Sequence, residues 1–98
     1  MKIKILTKLF NVDDKTIKGP DTKDLTVKDV CINALLSPKM DDSEKVKWDK
    51  YELYKRLKTA KDVVELSAEE IVLLKQCIGK TQPPLIMGQA WEVLESKI

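Results

Sequence analysis

The spacing of apolar residues changes once along this chain, and the change limits the folds open to it. In "KIKILTKLF" the apolar side chains alternate, with Ile3, Ile5 and Leu9 on one face and Lys2, Lys4 and Lys8 on the other, as in a half-buried strand. From Thr26 onward they recur at three and four residues, the period of helices packed along one side. Leu6 and Phe10 break the alternation, so the second face of the strand is expected to be partly covered. "NVDD" supplies turn residues, "KTIK" can return as a strand, and "GPD" turns again. Residues 1–20 are therefore expected to form an N-terminal β-hairpin, with Val63 and Val64 available as a third short strand.

Four helices are expected after it. Thr26 is a good N-cap with Asp29 three residues on, and Val27, Val30, Cys31, Ala34 and Leu35 make one apolar face that Pro38 ends. "PKMDDS" closes on Asp42 and Ser43 as cap residues for a second helix over about 44–60. In "LSAEEI", Ser67 caps, Glu70 stands at the third helical position, and Leu66 faces Ile71 across the helix start. This third helix is expected to end at Gly79 in a left-handed conformation and, being apolar around most of its circumference, to be the central one. Pro84 opens a last helix whose inner stripe is Met87, Ala90, Trp91, Leu94 and Ile98, with Gln89, Glu92 and Glu95 facing water. Ninety-eight residues, 43% hydrophobic and 35% charged, suit one domain with one core. The expected fold is helix-dominant α+β, a hairpin region over 1–20 and a helical region over 26–98.

The chain contains no histidine, which removes the commonest general base, the Ser-His and Cys-His pairs and most zinc sites. It has no glycine-rich phosphate loop, so no cofactor, metal or enzymatic activity is expected. Cys31 and Cys77 lie far apart on apolar helical patterns and read as reduced core residues. The adjacent acids Asp13 and Asp14, Asp41 and Asp42, and Glu69 and Glu70 stand at turns and helix starts, where carboxylates are favoured without a cation. Met87 and Trp91, four residues apart, read as a core contact before a ligand pocket. No apolar run approaches ~20 residues and the interleaved lysines break up any signal-peptide core. A cytoplasmic protein with no membrane partner is expected.

"WDKYELYKRLK", residues 48–58, is the one segment that points outward. Advancing about 100° per residue from Val46, the residues Leu53, Leu57 and Ala60 share the core stripe with Tyr54 at its border, while Tyr51 and Trp48 fall near 140° and 200° beside Lys47, Lys55 and Lys58. Residues 44–61 hold seven basic and three acidic side chains, locally +4 in a chain of net +2. Three readings fit. The hairpin or a linker covers Trp48 and Tyr51 while lysines snorkel around them; the face binds a protein or a second copy of the chain; or it is a platform for single-stranded nucleic acid. The small net charge and a single arginine, Arg56, count against the last.

The succession "KTIKGPDTKDLTVKDVCINALLS", "YELYKRL", "VELSAEEIVLLKQCIGK" and "PPLIMGQAWEVLE" resembles small proteins encoded by bacteriophages and prophages, over nearly the whole chain. The resemblance implies an accessory or regulatory protein acting in a bacterial host through a protein partner, self-association included, and brings no catalytic residues with it. The expected function is a non-enzymatic interaction module working through Lys47, Trp48, Tyr51, Lys55 and Lys58, with a small nucleic-acid-binding regulator on the same face as the alternative.

Overall fold

The computed structural model describes residues 1–19, 22–37 and 42–96. In chain order the elements are β1 (Lys2–Lys4), α1 (Val27–Leu36), α2 (Glu44–Thr59), β2 (Val63–Glu65), α3 (Ala68–Thr81) and α4 (Pro84–Glu95), a helix-dominant α+β fold. The N-terminal strand does not form the regular hairpin expected of it. Its ladder partner is β2, antiparallel, in the register Lys2 with Glu65, Ile3 with Val64 and Lys4 with Val63. Ile3 and Val64 are buried together on one face of this two-stranded sheet, and their neighbours point out. Burial of that shared face selects the long-range pairing over the local one.

The described residues of this region, 8–19 and 22–26, instead close a ring of three short segments. The Ile17 amide donates to the Leu9 carbonyl (3.0 Å), Leu25 to Ile17 (2.7 Å) and, closing the ring, Leu9 to Leu25 (3.1 Å). Because every segment commits its amide to one neighbour and its carbonyl to the other, pairing stops at single bridges, Lys8 with Thr26, Phe10 with Thr16 and Lys18 with Asp24. The first corner is closed by Asn11, whose side-chain oxygen accepts from the Asp13 and Lys15 amides, with Asp14 at φ 61°. This is the place of the acid pair Asp13 and Asp14. The Pro20, Asp21, Pro38 and Asp41 expectations lie outside the described residues, as does Ile98.

Local signals decide the helix starts. At α1 the Thr26 hydroxyl accepts from the Asp29 amide while Asp29 accepts from the Thr26 amide (3.0 Å), and Ser67 and Glu70 repeat this reciprocal arrangement at α3. Each such cap contributes about 1 kcal/mol. The expected end of α3 is corrected: the helix runs two residues past Gly79 to Thr81, and no described glycine has a positive φ. Gly79 is there for packing, since a β-carbon would stand 3.3 Å from Trp91 Cζ2.

The central helix is α1, not α3. Val27, Val30, Cys31, Ala34 and Leu35 are all buried where α1 meets α2, α3 and α4, whereas α3 leaves Val72 53% exposed on a side that nothing covers among the described residues. Apolar residues around a helix therefore overstate its burial here. Ile3, Ile5, Leu9, Leu57, Val64, Leu66, Leu74, Ile78 and Leu94 fill one continuous core from both strands, the ring and the other helices. Each contributes about 1.5–3 kcal/mol through loss of water contact. Cys31 and Cys77 are free and buried within it; burial first, then the nearby Cys77, pushes the Cys31 thiol up to about 12.

On α4, Ala90 and Leu94 are buried and Met87 and Trp91 half-buried, the core contact expected of them. Gln89, expected to face water, is half-buried: its side chain accepts from the Phe10 amide (2.9 Å) and donates to the Phe10 carbonyl (2.7 Å), holding the ring segment on α4. Among the described residues no helix is long and apolar enough to cross a membrane.

Candidate interaction face

α2 is fixed at both ends by its neighbours. Ser43 accepts from the Val46 amide at the start, and at the other end the Lys28 ammonium, carried by α1, donates to the Lys58 and Ala60 carbonyls at 3.1 and 2.9 Å. Leu53 and Leu57 are buried, with Val46, Tyr54 and Ala60 half-buried beside them, and this stripe sets which residues face outward.

Trp48 is 59% and Tyr51 45% exposed, so neither the N-terminal region nor any other described segment covers them. With Tyr54 they form a ladder along one side of the helix. Trp48 and Tyr51 have ring centroids 5.8 Å apart and planes 42° apart; Tyr51 and Tyr54 are separated by 6.1 Å and 39°. The Lys55 ammonium lies 5.2 Å from the Tyr51 centroid, and that of Lys58 lies 6.0 Å from Tyr54, both within reach of the ring quadrupoles. Of the five candidate residues the structure thus brings together Trp48, Tyr51 and Lys55 directly, and Lys58 through Tyr54. Lys47 is exposed and makes no ion pair or ring contact among the described residues.

Tyr54 packs against the core, as its place at the stripe predicts, but sequence reasoning missed that it also ties the exposed rings to that core; the spacing 48, 51, 54 carried that signal. It also missed Lys50, which is only 6% exposed and pairs with Asp42 at 2.5 Å.

Asp49 and Arg56 of α2 point to the other side. Asp49 pairs with Lys45 (3.0 Å), and Arg56 reaches Glu70 (2.7 Å) and the Glu65 carbonyl (3.1 Å). Among the described residues, Glu52 is the one acid paired with a lysine of the ring face, 3.8 Å from Lys55. Asp49, Glu52, Arg56, Glu69 and Glu70 line an open cavity of about 460 Å³ between α2 and α3. Burial opposes ionisation of Glu70, but the Arg56 guanidinium and the Ser67 amide outweigh it and hold the carboxyl below its usual range. The Glu69 and Glu70 pair thus opens α3 as a helix-start feature. No cluster of three or more metal-ligating side chains occurs among the described residues.

No protein-family model, curated protein or solved structure matches the chain.

Proposed function

We propose that the chain is a non-enzymatic interaction module that docks a protein partner on the ring face of α2, through Trp48, Tyr51, Lys55, Lys58 and Lys47. One observation carries the reading: two large aromatic side chains stand adjacent and exposed on a helix whose opposite stripe is anchored in the core. Exposed Trp and Tyr are costly to leave in water and are the residues most enriched at binding hot spots, and the lysine stems around them make a polar rim. The setting, an accessory or regulatory protein of phage type in a bacterial cytoplasm, rests on the sequence resemblance.

Photo-crosslinking tests it. Benzoylphenylalanine placed at Tyr51 and irradiated in bacterial cells is expected to give a discrete protein adduct that disappears when Trp48→Ala is added. Irradiated chain that remains entirely uncoupled contradicts the reading.

A further inference from the structure

We infer that the occupant of this face is an acidic amphipathic segment of another protein, in preference to a second copy of the chain or a nucleic acid. The inference rests on the interface reading above and adds the partner's chemistry.

Charge decides against self-pairing. At about 100° per residue, Lys47, Lys55 and Lys58 share the arc of Trp48, Tyr51 and Tyr54, and Glu44 is the one acid of α2 on that arc. Asp49 lies on the opposite arc, where it pairs with Lys45, while Glu52 stands at the edge of the ring face, 3.8 Å from Lys55. Three lysines against Glu44 and the bordering Glu52 leave the ring face with a net positive charge. A two-fold dimer through it sets one net positive face against another, which disfavours self-pairing.

Ring geometry decides against base stacking. A nucleobase needs an open, flat ring face. The Lys55 ammonium stands over Tyr51, Lys58 stands over Tyr54, and the Trp48 plane is turned 42° from Tyr51, so the three rings make no common platform. Arg56, the only arginine in the chain, is committed on the far side to Glu70 and the Glu65 carbonyl. What the face offers is ring edges and lysine methylenes between ammonium groups. This complements apolar side chains flanked by carboxylates. Residues 48 to 54 span about 9 Å of helix axis, room for two apolar side chains one helical turn apart.

The test uses the full chain and a display library of random 16-residue peptides, with binders that also hold the Trp48→Ala/Tyr51→Ala variant removed. Circular dichroism of each variant confirms that the helices are intact. The retained peptides are expected to be net acidic with paired apolar residues. Their affinity should fall about tenfold or more for the ring variant, and about tenfold for Lys55→Glu/Lys58→Glu. Ring-dependent peptides that are neutral or basic overturn the acidic partner and leave the interface standing. So does tighter, ring-dependent binding of an oligo-dT strand, or a wild-type oligomer that Trp48→Ala dissociates. A library with no ring-dependent binder, together with an unproductive crosslink at Tyr51, overturns the interface itself.

Discussion

Lys50 and Asp42 form an ion pair at 2.5 Å with side chains only 8% and 17% exposed. Lys50 thus sits on the core side of α2, on the helix whose other lysines reach solvent, and Asp42 supplies the charge that lets it stay there. Removing the acid strands an ammonium away from water, while replacing the lysine by an apolar chain of similar length does not. Asp42→Ala is expected to lose about 2–3 kcal/mol and Lys50→Met less than about 1 kcal/mol in urea unfolding. Equal losses would mean that the pair is solvated and contributes no more than a surface bridge.

The two helical glycines separate propensity from packing. A β-carbon at Gly88 meets nothing within 4 Å, whereas one at Gly79 stands 3.3 Å from Trp91 Cζ2, and Trp91 is held in turn by its indole donating to the Lys75 carbonyl and by the Lys75 ammonium 4.5 Å from its ring. Gly88→Ala should add about 0.5–1 kcal/mol and raise the Tm by about 2–8 °C. Gly79→Ala should not raise it, because the same backbone gain is offset by the crowded indole. Thermal melts of both variants make the comparison.

Asp24 joins all three segments of the N-terminal ring: it accepts from Lys18, from Lys8 at 3.1 Å and from the Thr16 hydroxyl at 3.0 Å. Lys18 foremost, then Lys8 and Thr16, lowers its carboxyl from 3.8 to about 2. A carboxyl depressed on folding contributes stability that is present above its unfolded value and lost as pH falls toward its folded one. Asp24→Asn should therefore flatten the stability profile between about pH 4 and pH 2 and leave its slope above pH 5 unchanged, read from urea midpoints at each pH. A wild-type slope retained through that window contradicts the triple contact.

Trp48→Ala and Tyr51→Ala are each expected to cost less than about 1 kcal/mol, since the rings contact mainly one another and the lysines rather than the core. Tyr54→Ala, which removes a half-buried ring packed against the core, should cost more. The same denaturant titration distinguishes the three positions. A loss of 3 kcal/mol or more at Trp48, beyond the roughly 1 kcal/mol usual for surface residues, would make it a structural residue.

Local information was legible in the sequence and non-local information was not. The reciprocal caps at Thr26 and Ser67, the proline start of α4 and the stripe of Leu53 and Leu57 each depend on residues within one or two turns, and each stands where the spacing placed it. The pairing of β1 with β2 joins residues about sixty positions apart, and the turn chemistry of "NVDD" and "GPD" suits a hairpin and the three-segment ring equally. Gly79 carries the composition of a helix end but answers to Trp91, twelve residues on. At the candidate site the outward arc of Trp48, Tyr51 and the lysines followed from the helical period alone. The burial of Lys50 and the turning of Asp49 and Arg56 toward α3 required the neighbouring elements.

The most direct measurement places Trp48 as the sole tryptophan, in a Trp91→Phe background, and follows acrylamide quenching of its fluorescence. In the free protein Trp48 should be quenched readily and to the same extent at every protein concentration. Saturation with a ring-dependent peptide, or with the partner captured through Tyr51, should shift its emission to the blue and reduce quenching several-fold. Quenching that is unchanged at saturation would show that the ring face of α2 is not where the partner sits.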